Sequence, residues 1–402
     1  MIKVEAALKA AGQTTGRFTD KITQPLLCWF DENKRVLPFR TLSTPYRVWV
    51  SEVMLQQTRV SAALPYFERF MDALPTVKAL AECPPERLNK LWEGLGYYSR
   101  ARNLQKAAQM IEEKYAGELP ADYTALKRLP GVGEYTAGAI ASISFQLPEI
   151  AVDGNVLRVF ARLRNDSGNV LHPAVKKALS ACVRSAQPPQ RPGDYNEALM
   201  ELGALVCLPN GAPLCGQCPL KALCAARAAG TQDALPVNTP LKARKRVECT
   251  IAAVLCADRV LLQQRPQSGL LAGLWQPVWL AGECTAQSTN KAVAALWDGA
   301  LFADGKRAAP TDTPREASAC TATNFAASVP DEISTEPLPA AKHVFTHLEW
   351  HMTGWACRVS PVAGGCPRAP RGCVWATAQE LCTVYTLPGA YKVYKKEILG
   401  RL

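Results

Sequence analysis

The sequence predicts two domains of different class, an all-α half to about residue 228 and an α+β half from 247 to the end. Three observations predict it. Up to the cysteines between 207 and 224, apolar residues recur at helical spacing, prolines punctuate the junctions, and nothing alternates with the period of a strand. From Ala225 the pattern dissolves, and residues 229–246, AGTQDALPVNTPLKARKR, read as a linker that ends in a basic run. Beyond it the texture changes to branched residues broken by turn signals, as in VECTIAAVLCADRVLLQQR, and the length of 402 residues suits two domains.

Composition bounds the function. The hydrophobic fraction of 48% is that of a globular chain, and no apolar run approaches the roughly 18 to 20 residues of a membrane span. The formal charge is +11, and residues 1–230 hold 28 basic against 21 acidic side chains, an excess that favours a polyanionic partner. Fifteen cysteines are spread along a chain with no signal-peptide apolar region, which points to thiols in a reducing compartment. Residues 1–20 form a mildly basic leader, either a frayed end or a short transit peptide.

Taken in order, Ile22 to Asn33 is an amphipathic helix closed by a turn at LPFR, Leu37 to Arg40. Thr44 and Pro45 form an N-cap and first-turn pair that opens YRVWVSEVMLQQT. Glu52 lies there with Val48, Trp49 and Leu55 on its own face, so packing that face would desolvate the carboxyl and raise its pKa. A surface Glu on a well-formed helix fits the pattern too. Short helices follow in SAALPYFERFMDAL, TVKALAEC and PERLNKLWEGLG; then GLGYYSRARNL, Gly94 to Leu104, brings Tyr97, Tyr98 and two arginines to a helix start. Rings beside guanidinium groups suit nucleic acid, and packing aromatics are the plainer alternative.

A helix over Asp122 to Arg128 leads into LPGVGEYTAGAI, Leu129 to Ile140, around which the half is organised. Gly131 and Gly133 lie in a turn before a helix start with little side-chain bulk, a seat for a phosphate, unless it is only a tight turn between helices. In VDGNV, Val152 to Val156, Asp153 stands where an N-cap would, ahead of a helix from about Asn155 to Leu163. Two more helices, in HPAVKKALSACVRSA and DYNEALMELGALVC, reach Cys207, Cys215, Cys218 and Cys224. That spacing suits one four-thiolate site and leaves zinc and iron–sulfur both open.

In the second half, Ala257-Asp258-Arg259 turns a β-hairpin, LWQPVWL holds a short strand, Asn290 to Trp297 a helix, and HVFTHLEWHMTGW from His343 a strand. Residues 299–340 carry no readable pattern.

TPYRVWVSEVMLQQT, LWEGLGYYSRARNL, LPGVGEYTAGAI, VDGNV and the cysteine group together resemble the adenine DNA glycosylases of the helix–hairpin–helix iron–sulfur superfamily, from about Thr23 to the end. The resemblance implies a leader to residue 20, an all-α helix–hairpin–helix glycosylase domain with a [4Fe–4S] subdomain over 21–228, and a Nudix-like α+β domain over 247–402. It implies that Glu52 is the acid that protonates adenine and Asp153 the anion that stabilises the cationic sugar, with Tyr135 and Asn155 orienting the pair. Arg40 and Glu197 match adenine-pocket positions, Gln57 and Tyr97 match residues wedged into the base stack, and Gly131 and Gly133 match the DNA-binding hairpin. Tyr135 stands where the bifunctional endonuclease III relatives carry a Schiff-base Lys, which implies base excision with little strand scission.

The [4Fe–4S] cluster would sit on Cys207, Cys215, Cys218 and Cys224, with seven residues between the first two where the family usually has six. Phe345, Thr346 and His347 match an F-S-H motif that recognises 8-oxoguanine, with Thr in place of Ser, and no pyrophosphatase box is present. The implied partner is double-stranded DNA holding 8-oxoguanine:adenine or guanine:adenine, met by a monomer away from any membrane. The implied place is intracellular, with DNA in the nucleus, or alternatively the mitochondrion or a bacterial cytoplasm. A thymine-mismatch or pyrimidine-lesion glycosylase and a non-enzymatic redox-sensing DNA binder are the competing readings.

Overall fold

The computed structural model describes residues 15–209, 211–239, 243–297, 333–362 and 365–402. Most of the expected leader, Lys242 of the basic run and residues 299–332 of the patternless stretch lie outside the described residues. The chain divides into two compact units, Met1–Cys83 with Arg102–Lys242, and Pro84–Ala101 with Ala243–Leu402.

The first unit is helical, and among its described residues the only β pairing is an isolated bridge between Asn169 and Val237. Its helices start where the sequence supplies caps. Thr44 accepts a hydrogen bond from the Arg47 amide at 3.3 Å ahead of Pro45–Leu55, Asp122 caps Tyr123–Arg128, and Asp153 caps Gly154–Arg164. Two expectations change. The first helix begins earlier, at Thr15, and LPFR is not a turn but the short helix Pro38–Thr41, because Pro38 takes the first helical position where its missing N–H costs nothing. Ile22, Leu26 and Phe30 pack against Val156 and Phe160 of Gly154–Arg164 and Tyr195 and Leu199 of Pro192–Leu205.

Glu134–Phe145 packs against both Pro45–Leu55 and Pro192–Leu205, and its residues from Thr136 to Ser142 are all buried. A helix covered all round has no polar face to show, hence its smooth, small-residue sequence. Gly138 is required there: a Cβ would lie 2.0 Å from the Ile150 carbonyl oxygen. The low bulk of this run therefore serves the close passage of the chain towards Asp153.

The second unit carries a seven-stranded mixed sheet: β1 Lys245–Cys256, β2 Arg259–Gln264, β3 Trp275–Gln276, β4 Val278–Ala281, β5 Ile333–Val344, β6 Leu348–Val359 and β7 Cys373–Thr377. The order is β3-β2-β1-β6-β5, with β4 on β1 and β7 on β2; β1 and β6 run parallel and the other pairs antiparallel. The β1–β2 hairpin turns at Ala257, φ 49°, as its sequence predicts. Ile251, Ala253 and Leu255 pack with Tyr391, Tyr394 and Ile398 on one face, while Ala252, Val254 and Cys256 pack with Val293 and Leu296 on the other. Covering both faces removes the alternation a one-sided strand would show.

The strand expected through His343 is two strands, β5 and β6, joined by Phe345-Thr346-His347, and β5 reaches back into the stretch that had no pattern. The helix expected over 290–297 spans Ala286–Ala294, since Thr285 caps it by accepting from the Ser288 amide. No helix among the described residues is long and apolar enough to cross a membrane.

Candidate active site

Glu52 sits in the last turns of Pro45–Leu55 with Val48, Trp49, Val50 and Val53 buried around it, and only 7% of it reaches solvent. Burial pushes its carboxyl up to about 7, against the hydrogen bond from Tyr135 that favours the anion, while Glu197 and Asp153 add negative potential and Arg40 subtracts some. The Tyr135 hydroxyl donates to Glu52 Oε2 at 2.6 Å and lies 3.4 Å from Met200 Sδ. Its single proton goes to the carboxylate, the stronger acceptor. Burial, then the Glu52 and Asp153 charges, raise the Tyr135 phenol well above its ordinary value, so it stays a donor. Glu52, Asp153, Glu197, Arg40 and Tyr135 thus share one electrostatic neighbourhood built from five chain segments.

Asp153 is held at both oxygens. Oδ1 accepts from the Val156 amide at 2.8 Å and Oδ2 from Asn155 Nδ2 at 2.7 Å. Burial raises its carboxyl, and these two donors pull the other way. Asn155 is fixed in turn by Arg158, whose Nη2 donates to Asn155 Oδ1 and to the Gly203 carbonyl, both at 2.8 Å, and whose Nε donates to the Cys207 carbonyl at 2.8 Å. Gly203 makes room for this, since a Cβ there would meet Asn155 Cβ at 2.5 Å. Asn196, fully buried, pins the approach to Asp153: it accepts from the Ala151 amide and donates to the Glu149 carbonyl and Ser142. Sequence reasoning missed Asn196, Arg158 and Glu201, because each shares its helix with other polar residues and is set apart only by its burial and by partners on other segments.

Arg40 and Glu197 do come together, Nε to Oε1 at 2.6 Å, and Arg40 Nη1 also donates to Glu201 Oε1 at 2.6 Å, with Arg35 on the other Glu201 oxygen at 2.8 Å. Burial raises the Glu197 carboxyl and Arg40 opposes it. In the glycine turn, Gly131 has φ 77° and a Cβ would lie 2.7 Å from Asn103 Cβ, so only glycine fits. Gly133 is the N-cap of Glu134–Phe145, carries no side-chain cap, and faces open space. Its helix start therefore presents bare N–H groups.

Gln57, exposed at φ 58°, and Tyr97, 46% exposed at φ 47°, both hold the left-handed conformation that costs a non-glycine residue roughly 1 kcal/mol or more. Tyr98, by contrast, is buried, so the two tyrosines divide between packing and surface. Within the second unit, the Tyr97 hydroxyl lies 3.2 Å from Thr346 Oγ1. Phe345 anchors its loop edge-on against Trp350 at 4.9 Å and His343 at 4.6 Å, leaving Thr346 and His347 exposed.

Cys207, Cys215, Cys218 and Cys224 line a single hollow together with Arg162, Lys221 and Arg227. Leu214 N donates to the Val206 carbonyl at 2.9 Å and Gly211 takes φ 77°, so the added loop residue is absorbed without removing Cys215 from the hollow. Arg162 Nη1 donates to Cys207 Sγ at 3.2 Å. Among the described residues no three His, Cys, Asp or Glu side chains converge closely enough to hold a single ion. Gln232 lines the same hollow, and its Oε1 is shut from water with no hydrogen-bond partner.

Residues 50–185 match the HhH-GPD superfamily of base excision DNA repair proteins, and residues 250–396 match a NUDIX domain. The adenine DNA glycosylase of Mus musculus is 34% identical over 427 aligned positions, covering 92% of this chain and 76% of that one. Its counterpart in Homo sapiens is 39% identical, covering 67% of this chain and 59% of that one. That of Buchnera aphidicola subsp. Acyrthosiphon pisum (strain APS) is 34% identical, covering 68% and 76%. With helical and α+β halves in the order of these matches and one relative aligned along nearly all of it, the chain belongs to the adenine DNA glycosylases, enzymes of base excision repair.

Proposed function

We propose that the chain hydrolyses the N-glycosidic bond of adenine mispaired with 8-oxoguanine, or with guanine, in duplex DNA, and does so without efficient strand cleavage. The observation that carries this reading is a buried Glu52 carboxyl, bonded to Tyr135 at 2.6 Å and near enough to feel the Asp153 charge, whose burial raises it to about 7. With the target nucleotide extruded, Glu52 donates its proton to adenine N7, which turns the base into a leaving group. The Asp153 carboxylate, fixed at both oxygens, stabilises the positive charge that grows on the sugar as the bond breaks. Tyr135 orients the acid, Asn155 orients the anion, and Arg40 with Glu197 lines the adenine pocket. Tyr135 is a phenol and forms no imine with the resulting sugar aldehyde, hence hydrolysis rather than strand scission.

Gly131 and Gly133 seat a backbone phosphate on the uncapped helix start, and strained, exposed Gln57 and Tyr97 enter the base stack. Thr346, on a rigidly anchored loop, presents a hydroxyl to the edge of 8-oxoguanine, with Phe345 and His347 beside it. The Ala286–Ala294 helix, AQSTNKAVA, has no carboxylate to hold a divalent cation, in keeping with recognition rather than pyrophosphate hydrolysis. Cys207, Cys215, Cys218 and Cys224 would hold a [4Fe–4S] cluster: four thiols lining one hollow supply the four thiolates such a group takes. The cluster would cross-link this segment and support the DNA-facing surface. Such a monomer works wherever duplex DNA is kept, in a nucleus, a mitochondrion or a bacterial cytoplasm.

The test is base release from an 8-oxoguanine:adenine duplex, with and without hot alkali. Strand breaks that appear only after alkali support simple hydrolysis; breaks without alkali, or no adenine released, refute the reading.

A further inference from the structure

Around the cysteine hollow, the charged side chains already have partners. Arg162 donates to Cys207 Sγ and to the Leu208 carbonyl at 2.9 Å, Lys221 to the Gly216 carbonyl at 3.1 Å, and Arg227 to the Lys221 carbonyl at 3.3 Å. Gln232 is different. Its Oε1 is buried without a partner, and its Nε2 makes only a 3.4 Å contact with Asp233, an exposed residue. The backbone that carries it is fixed: Gly230 ends the Ala225–Ala229 helix at φ 70°, Thr231 N donates to the Ala226 carbonyl at 2.9 Å, and Thr231 Oγ1 donates to Asn165 Oδ1 at 2.6 Å. A half-buried amide whose inner atom is shut from water, carried on a fixed backbone beside a thiol-lined hollow, needs a partner from within it.

We propose that Gln232 donates its side-chain N–H groups to sulfur in that hollow and thereby sets the reduction potential of the cluster, an assignment that rests on the [4Fe–4S] reading above. The two ends of a glutamine amide exchange by a half-turn, and here the exchange gives up the long contact with Asp233 and leaves Oε1 beside that exposed, water-screened carboxylate, while turning the NH2 to the partnerless position. Donors to cluster sulfurs stabilise the more negative, reduced state and so raise the potential. Arg162 at Cys207 supplies one such donor from the opposite chain segment, and Gln232 adds a neutral one.

The experiment uses full-length holoprotein and the variants Gln232→Met, which keeps the length and loses the donors, and Gln232→Glu, which replaces them with a charged acceptor. Iron and acid-labile sulfide are measured per chain, then the midpoint potential by voltammetry and the bleaching of the visible iron–sulfur absorbance under oxidant. The expected result is a negative shift in potential and faster bleaching for Gln232→Met, with a larger shift for Gln232→Glu. Equal potentials in fully loaded wild type and Gln232→Met overturn the Gln232 assignment alone. Wild type that carries zinc, or no sulfide, overturns the cluster reading itself and the assignment with it.

Discussion

The site around Glu52 and the loop at Thr346 answer opposite demands. Glu52 is 7% exposed, tied to Tyr135, and surrounded by groups that already satisfy one another, whereas Thr346 and His347 stand in solvent on a three-residue connection between β5 and β6. An acid at neutral pH needs burial to raise its pKa, and a reader of a base edge needs exposure to reach it. The helical unit gives the first by packing a carboxylate inside a helix bundle; the sheet gives the second by anchoring Phe345 on Trp350 and leaving its neighbour outward. Chemistry is therefore coupled to stability in one region and nearly free of it in the other.

That contrast breaks most visibly by removing the acid or the anion. Glu52→Gln or Asp153→Asn is expected to slow single-turnover adenine release by roughly 10³-fold or more, with duplex affinity kept; loss of affinity together with rate would make these residues structural. The same Glu52→Gln change sharpens the comparison in the absence of DNA. The folded-state value of about 7 lies above the unfolded 4.5, so ionising the buried carboxyl removes stability as pH climbs through 7, by about 3 kcal/mol. Denaturant unfolding should find the variant more stable than wild type at pH 8 and equal to it near pH 4, whereas equal stabilities at both would mean that Glu52 is not desolvated.

Thr346→Ala should leave stability untouched and reduce the preference for 8-oxoguanine over guanine opposite adenine by about fivefold, the worth of one neutral hydrogen bond. An unchanged ratio of the two rates would take Thr346 out of recognition. An effect of similar size is expected of Tyr135→Phe, which removes the donor that favours the Glu52 anion. The alkaline fall in the single-turnover rate should then move up by about one pH unit; a fall at the same pH would mean that Tyr135 does not tune the acid.

Much of this was legible in the sequence where local rules operate. Val48, Trp49 and Leu55 around Glu52 announced its apolar face, and Asp153 announced a helix start, because caps and helix faces are written within four residues. The glycine turn was legible, but not why Gly138 stands in the helix that follows it, since its reason is the Ile150 carbonyl on another segment. Asn196 and Arg158 were invisible for the same cause: the Ala151 amide that Asn196 accepts from and the Gly203 carbonyl that Arg158 donates to each lie 45 residues away in sequence. The hairpin at 345–347 was read as one strand because Phe345-Thr346-His347 contains none of the Gly, Pro, Asn or Asp residues that mark a turn.

The most direct measurement is the titration of Glu52 itself, by infrared difference between wild type and Glu52→Gln with isotope-labelled glutamate. A carboxyl C=O band that disappears with a midpoint near pH 7 is the predicted result; a midpoint near the ordinary 4.5 would contradict a proton donor made by burial.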